Sequence, residues 1–149
     1  MVTTIGTESR MEDLLHDLIH LDYDAIAAYQ AAIDRLEDSG AKQALTGFRR
    51  DHEDHIRNLT PYLEALGGKV PADGDMKQVL TKGKVVVAGL IGDKAILMAM
   101  KSNEEDTNTA YERAVEHAEL PPKLRDLMKK NLADERRHRE WLVDRIEKM

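Results

Sequence analysis

Cysteine is absent from the 149 residues of this chain. Disulfide bonds, thiolate-bound iron–sulfur clusters and cysteine nucleophiles are therefore excluded, and any metal ion has to bind through nitrogen and oxygen atoms. Aromatic residues make up only 4%, with one Phe and one Trp, and there are four Pro. Leu, Ala, Lys, Glu and Asp are common, and most of these residues favour helices. The composition predicts an all-α protein.

Long apolar runs are absent as well. No stretch approaches the roughly 18 consecutive apolar residues of a membrane span, and the N-terminus lacks the basic start and apolar run of a secretory signal. We therefore expect a cytoplasmic protein that does not enter a membrane. The formal net charge of −6 disfavours nonspecific binding to nucleic acid. The length fits a single domain over residues 1–149.

The first two predicted helices cover residues 11–37 and 41–66. Apolar residues recur there at three- and four-residue steps, as the buried face of an amphipathic helix requires. Gly67-Gly68 and Pro71 are expected to end the second helix, because glycine favours helix C-termini and proline cannot continue the pattern.

The third and fourth helices begin near Gly92-Asp93 and at Pro121-Pro122. Residues 1–9 are predicted to form a loose tail. Residues 68–92 are predicted to form a long, partly helical crossover between the second and third helices. A single long connection at this place is typical of ferritin-like topology. The sequence therefore predicts a ferritin-like up-down four-helix bundle.

Six ionisable side chains interrupt the apolar stripes of these helices. Unpaired charges are strongly unfavourable in a protein core, so we expect a shared cation to compensate them. Residues three apart lie on one helix face, so a carboxylate and an imidazole at that spacing can reach one point. Mixed carboxylate and imidazole ligands suit iron, manganese or zinc. The predicted ligands are Asp22, His52, His55, Glu104, Glu135 and His138.

An alternative is that the helix phase differs from this assignment, which would place the segment DHEDH and the Glu135 to His138 turn in solvent as charged faces. Single histidines on helices are more often surface or core residues, so His16, His20 and His117 are not predicted as ligands. Two tyrosines, Tyr29 and Tyr111, fit equally well as ordinary core residues or as hydrogen-bond donors to the carboxylates.

The two halves of the chain resemble each other. Asp22 and Tyr29 in the first helix align with Glu104 and Tyr111 in the third. The second and fourth helices align in the same way, and their matching pairs are Asp51 with Asp134, His52 with Glu135, and His55 with His138. Two hairpins related in this way would place matching polar residues at one level of a bundle.

These motifs resemble those of a known superfamily. The segment ADERRHREWL, residues 133–142, closely resembles the last motif helix of rubrerythrins and bacterioferritins, which are di-iron carboxylate proteins. The spacings Asp22-x6-Tyr29 and Glu104-x6-Tyr111 resemble those on the superfamily's other two helices. The resemblance covers residues 11–148. Within the superfamily the sequence is most similar to small bacterial ferritin-like proteins grouped under a domain of unknown function, DUF2383.

The resemblance implies that Glu104, Glu135 and His138 bind metal directly. It also implies that Asp22 replaces a family glutamate and that His55 matches the other motif histidine. Two aspartates that precede the motifs would orient the histidine of the opposite half, and two tyrosines would support the carboxylates. These four supporting residues are Tyr29, Asp51, Tyr111 and Asp134.

His52 departs from the family pattern, because it occupies the position of a glutamate that bridges the two irons in family members. Three carboxylates would leave two divalent ions with a net charge of +1, whereas four would cancel them. This departure disfavours a tightly bridged pair and favours either one ion or two ions held further apart.

The predicted function is that of a non-haem iron oxidoreductase that reacts with dioxygen or hydrogen peroxide. Iron is the expected metal, and manganese or zinc would also fit. Because the chain has no cysteine for an internal electron-transfer cluster, an external reductant is expected. A homodimer is also expected. The alternatives are a metal-binding structural or interaction bundle without turnover, and a metal-free helical dimer with a hydrogen-bonded polar core.

Overall fold

A computed structural model describes residues 3–70 and 87–149. Four long helices and no strand are found in these residues. The prediction of an all-α four-helix bundle is confirmed. No described helix is long and apolar enough to cross a membrane. The helices are α1 Met11–Arg35, α2 Ser39–Ala65, α3 Asp93–Val115 and α4 Pro122–Glu147.

The helices pack as two hairpins. α1 lies against α2 and α3 against α4, and the hairpins meet where α1 contacts α3 and α2 contacts α4. Across the described residues the diagonal pairs, α1 with α4 and α2 with α3, have no direct backbone packing. The helices therefore occupy the corners of a square in the order α1, α2, α4, α3, and all four face a common centre.

The helix directions follow from contacts between α1 and α3. Asp22 in α1 contacts Tyr111 in α3, and Tyr29 contacts Glu104, so the two helices are antiparallel. α1 is also antiparallel to α2, which follows it in the hairpin. α2 and α3 therefore run the same way, and the end of α2 and the start of α3 lie at opposite ends of the bundle. Most of the predicted crossover, residues 71–86 of 68–92, lies outside the described residues.

α2 ends at the predicted glycines. Gly67 has a φ of +78°, a conformation that L side chains rarely adopt. The Gly67 N–H donates to the Glu64 carbonyl and the Gly68 N–H to the Leu63 carbonyl, 2.9 and 3.1 Å away. This Schellman pattern satisfies carbonyl groups that the last turn of the helix would otherwise leave free.

α3 begins at Asp93, after the predicted Gly92 cap. The Asp93 carboxylate does not cap its own helix. It accepts hydrogen bonds from the backbone N–H groups of Glu37 and Asp38, both at 2.9 Å. The start of α3 is thereby fixed to the connection between α1 and α2.

The core consists of two apolar clusters with a polar layer between them. One cluster fills the end of the bundle that holds the start of α1, and it includes Leu14, Leu18, Leu59, Leu63, Ala114, Leu124 and Met128. The other fills the opposite end and includes Ala32, Leu45, Phe48, Ile96, Leu97, Met100 and Leu142. Because apolar side chains close both ends, polar groups in the middle have to find partners within the protein.

The N-terminal segment differs from its prediction. Residues 3–9, predicted as part of a loose tail, are held against the last turns of α3. Arg113 Nη1 donates to the Thr3 carbonyl at 2.6 Å, and His117 Nε2 donates to the Glu8 carbonyl at 2.9 Å. Gly6 lies so close to α3 that a Cβ atom placed on it would be 2.3 Å from the Arg113 Cβ. Sequence pattern alone did not show this contact, because the segment has no helical periodicity.

Gly6→Ala is predicted to destabilise the protein by about 1–2 kcal/mol, because Gly6 has a φ of +103° and no room for a side chain. Gly47→Ala is the matched control. Gly47 lies exposed within α2 with nothing near its Cβ position, so alanine there should stabilise by about 0.5–1 kcal/mol. Urea unfolding monitored by circular dichroism measures both. If Gly6→Ala leaves the free energy of unfolding unchanged, residues 3–9 are not anchored.

Candidate metal centre

The polar layer holds all six predicted ligands. Each helix contributes to it, since α1 and α3 supply one carboxylate each, α2 supplies two histidines, and α4 supplies a carboxylate and a histidine. Every one of these residues is 0% exposed: Asp22, His52, His55, Glu104, Glu135 and His138. The structure thus brings the six side chains together, and their role as metal ligands stays a prediction.

The six residues form two overlapping groups of four. In each group, one potential ligand atom per residue lies within 4.8 Å of the others. The first cluster consists of Asp22, His52, His55 and Glu135. The second cluster consists of His52, Glu104, Glu135 and His138. His52 and Glu135, the pair that aligns in the internal repeat, belong to both.

Distances in the first cluster suit a tetrahedral ion. With metal–ligand bonds of about 2.1 Å, the ligand atoms of a tetrahedral site lie about 3.4 Å apart. His55 Nδ1 is 3.3 Å from Asp22 Oδ1 and 3.4 Å from Glu135 Oε1. His52 Nδ1 is also 3.4 Å from Glu135 Oε1. The His52 Nδ1–Asp22 Oδ1 distance, 2.8 Å, is shorter, and it corresponds to a hydrogen bond that a bound ion would replace.

The second cluster has similar spacing. Glu104 Oε1 is 3.4 Å from His52 Nε2 and 3.4 Å from His138 Nδ1. His138 Nδ1 is 3.6 Å from Glu135 Oε2. The two oxygens of Glu135 therefore face different clusters, Oε1 the first and Oε2 the second.

Glu135 lacks hydrogen-bond partners. Both of its carboxylate oxygens are buried without a hydrogen-bond partner, as is the Nδ1 atom of His138. Buried polar atoms are almost always satisfied, so an unsatisfied carboxylate at the centre of three imidazoles requires an explanation. A cation would satisfy these atoms, and the donor set of nitrogen and oxygen atoms suits iron, manganese or zinc. The residues present therefore fit a metal ion.

Tyrosines from the opposite hairpin hold the other two carboxylates. Tyr111 Oη donates to Asp22 Oδ2 at 2.6 Å, and Tyr29 Oη donates to Glu104 Oε1. Burial, together with the adjacent carboxylate charges, raises the pKa of both tyrosines well above its usual value, so they stay protonated donors. Thr107 adds a third such bond, since its hydroxyl donates to Glu104 Oε2 at 2.9 Å.

Two aspartates orient the outer histidines, and each belongs to the other hairpin. His55 Nε2 donates to Asp134 at 2.9 Å, and His138 Nε2 donates to Asp51 at 2.8 Å. Such bonds fix the tautomer and turn each Nδ1 atom toward the core. Arg137 Nη2 donates to both aspartates, at 2.7 Å to Asp51 and 3.2 Å to Asp134, and so joins the two halves of the layer.

The surrounding carboxylates keep the three histidines protonated in the metal-free protein. Burial alone would lower the pKa of His52, but the Glu135 charge and hydrogen bonds to Asp22 and Glu104 outweigh it and raise this pKa to about 10. Around His55, Asp134, Asp22 and Glu135 outweigh burial and raise the pKa of the imidazole to about 11. Around His138, Asp51, Glu104 and Glu135 outweigh burial and raise the pKa to about 10.

The pKa values of the carboxylates shift in the opposite direction. Burial, which would raise the pKa of Asp22 and Glu104, is outweighed by the neighbouring histidines, and both pKa values are lowered. Burial is likewise outweighed for Asp51 by its bonds to His138 and Arg137, and its pKa falls to about 2. The metal-free layer thus pairs cationic imidazoles with anionic carboxylates.

Three residues of the layer escaped the sequence analysis as functional groups. Thr107 was not singled out, although its spacing of three from Glu104 could have suggested a hydrogen bond. Arg137 lies three residues after Asp134, which is a similar signal. Asn108 gave no signal, because its amide donates to two backbone carbonyls on different helices, those of Glu104 at 2.7 Å and Glu135 at 3.0 Å.

The histidines that were not predicted as ligands lie outside both clusters. His16 is partly exposed on α1, where its ring lies 4.5 Å from that of His20. His117 binds the N-terminal segment.

Comparison with protein families gives one match. The model of the domain of unknown function DUF2383 matches residues 10–117. The chain belongs to the DUF2383 family. The predicted resemblance to DUF2383 proteins is thereby confirmed. The matched region holds four of the six predicted ligands of this DUF2383 chain, while Glu135 and His138 lie beyond it in α4. A search of curated proteins found no match.

Asp134→Asn is predicted to weaken metal binding by about 10–100-fold. The substitution replaces the charged acceptor of the His55 Nε2–H group with a neutral amide, so the imidazole is held less firmly in its orientation. The matched control is Asp126→Asn, an exposed aspartate on the same helix. Competition with a coloured chelator would measure the affinity of each variant. Equal affinities for the two variants would show that Asp134 does not support the site.

The metal-free protein is predicted to lose stability as the pH rises. The folded pKa values of about 10 to 11 exceed the unfolded value of about 6.5. The protonated imidazoles therefore stabilise the fold fully below about pH 6.5, and this contribution is lost progressively up to the folded pKa values. Thermal melting between about pH 6.5 and 9.5 measures the decline.

His138→Gln should make this decline shallower, since it removes one of the groups that lose a proton. His16→Gln, on the partly exposed surface of α1, serves as the control and should leave the slope unchanged. A wild-type melting temperature that does not fall over this range would contradict the charge pairing described above.

Proposed function

We propose that this DUF2383 chain binds iron in the centre of its bundle and acts as a non-haem iron oxidoreductase toward dioxygen or hydrogen peroxide. The observation that carries the proposal is the unsatisfied Glu135 carboxylate, which lies between three imidazoles and two further carboxylates. Bound iron would supply a one-electron redox change and a coordination position for a small oxidant.

The chain's own residues would hold the reaction in place. Asp22 and Glu104 are kept in position by tyrosines, and the outer histidines by aspartates, so the ligands are oriented before metal enters. Apolar clusters above and below the layer exclude water. A dry site of this kind strengthens electrostatic interactions and suppresses side reactions.

Iron fits the proposal better than zinc because zinc has no redox chemistry, and manganese, which is also redox-active, would fit it as well. All three metals accept a set of imidazole and carboxylate ligands. The absence of cysteine means that the electrons have to come from an external reductant. The external reductant and the homodimer stay predictions.

A second candidate is a bundle whose polar core works without metal. It is favoured by the charge balance of the layer, in which three imidazolium groups face three carboxylates and each imidazole has at least one carboxylate within 3.4 Å. In this case the layer would specify helix register rather than bind an ion.

Metal analysis separates the two candidates. Protein purified without a histidine tag is expected to contain one or two metal ions per chain, and chelation should lower its melting temperature, because a ligand that binds only the folded state stabilises it. Absence of stoichiometric metal, together with a melting temperature that chelator does not change, would favour the metal-free bundle.

Turnover is tested by ferrous loading without oxygen, followed by mixing with oxygenated buffer. Wild-type protein is expected to oxidise iron rapidly, and Glu135→Gln should slow oxidation at least about tenfold, since it removes the carboxylate shared by both clusters. Glu140→Gln, an exposed position on the same helix, is the matched control. The oxidase proposal fails if wild type and Glu135→Gln oxidise iron at the same slow rate.

A further inference from the structure

The ring of His52 lies between the two clusters, with one nitrogen facing each. Nδ1 is 2.8 Å from Asp22 Oδ1 and 3.4 Å from Glu135 Oε1, on the side of the first cluster. Nε2 is 3.4 Å from Glu104 Oε1, on the side of the second. Neither nitrogen points to an aspartate on the outer side of the layer, as the Nε2 atoms of His55 and His138 do.

Glu135 has the same arrangement with oxygen atoms. Its Oε1 faces His52 and His55, and its Oε2 faces His138. The two shared residues, aligned with each other in the internal repeat, therefore lie across the centre from one another. Each offers one donor atom to each cluster.

We propose that His52 bridges two metal ions as an imidazolate, with Nδ1 bound to an ion in the first cluster and Nε2 bound to an ion in the second. Glu135 would form the opposite bridge through its two oxygens. This inference rests on the proposed function, because it requires that the core binds metal.

Geometry supports a pair of bridges of this kind. The two nitrogens of an imidazole and the two oxygens of a carboxylate are separated by nearly the same distance. The lone pairs of an imidazolate diverge, so Glu135 would span the same pair of ions through the lone pairs of its oxygens that point away from each other. Each ion would then have four protein ligands. They are Asp22, His55, His52 and Glu135 for the first ion, and Glu104, His138, His52 and Glu135 for the second.

Charge supports the same assignment. Among the buried residues that would bind the ions directly, Asp22, Glu104 and Glu135 supply three negative charges, which leave two divalent ions with a charge of +1. An imidazolate adds the fourth negative charge and makes the set of ions and direct ligands neutral, so that the partly exposed Asp51, Asp134 and Arg137 need not compensate it. The step is a loss of protons only. As the two ions bind, both ring protons of His52 and the Nδ1 protons of His55 and His138 pass to the solvent, and no oxidant or reductant is needed.

The bridge has a consequence for the spacing of the ions. Two metal–nitrogen bonds of about 2 Å and the width of the ring would hold the ions roughly 6 Å apart. Two-metal sites that share an oxygen atom hold their ions closer, at about 3.5–4 Å. The two ions of this centre would therefore be coupled through the imidazole ring and the carboxylate rather than through a shared oxygen atom.

Copper(II) is a suitable probe, because it binds nitrogen and oxygen sites tightly and carries one unpaired electron. Metal-free, untagged protein is loaded with excess copper(II), freed of unbound ion, and measured by metal analysis and by electron paramagnetic resonance at liquid-helium temperature. We expect two copper ions per chain. Antiferromagnetic coupling through the imidazolate should reduce the integrated signal well below that of two independent spins.

His52→Gln should abolish this coupling and restore nearly one spin per bound copper. His16→Gln is the matched control, and it should behave as wild type. Circular dichroism checks that each variant retains its helix content. A second variant, His52→Ala, tests the bridge chemically, because added imidazole has two donor nitrogens and should restore coupling, whereas 1-methylimidazole has only one and should not.

The outcomes distinguish this inference from the proposed function. No bound metal would overturn both. One copper per chain, or two coppers with a full signal in wild type, would overturn the bridge and leave a metal site. Coupling that is unchanged in folded His52→Gln would assign the bridge to Glu135 alone and would also overturn the role of His52. The wild-type spin count decides against the bridge even if a variant does not fold.

Discussion

Compensation of buried charge is the constraint on which this structure depends. Six ionisable side chains lie fully buried between two apolar clusters, where no water can replace a missing partner. Each supporting residue can be understood as a response to that constraint. The tyrosines donate to carboxylates, the outer aspartates accept from imidazoles, and Arg137 neutralises part of the charge that those aspartates add. The layer is stable only as a set, because removing one member leaves its partners uncompensated.

The internal repeat explains how a short chain arranges so many groups at one level. Each hairpin supplies a carboxylate, a tyrosine, an aspartate and a histidine in the same order, and antiparallel contact between the hairpins pairs each group with its counterpart. Tyr29 thus binds the carboxylate of the other half, as Tyr111 does. The central pair breaks the symmetry, because His52 in one half faces Glu135 in the other.

Helical periodicity was sufficient to predict the four helices and the burial of all six central residues, because a residue on an apolar stripe has only one direction in which to point. Contacts between helices were harder to predict. Arg137 donates to both Asp51 and Asp134. The matching position in the segment DHEDH is Asp54, and the sequence does not show that one arginine reaches both aspartates. The anchoring of residues 3–9 depends on the close approach of Gly6 to Arg113, which has no periodic signal.

The central histidine shows why a family pattern and a site have to be considered separately. By pattern alone, the exchange of a bridging glutamate for His52 removes a charge and a bridge, which favours either one ion or two ions held further apart. The geometry favours the second alternative, since the ring nitrogens of His52 face the same two clusters as the oxygens of Glu135. An imidazole can replace a carboxylate as a bridge when its second proton is lost, and two buried cations provide the electrostatic reason for that loss. The exchange therefore alters how a pair of ions is joined without removing the capacity for two.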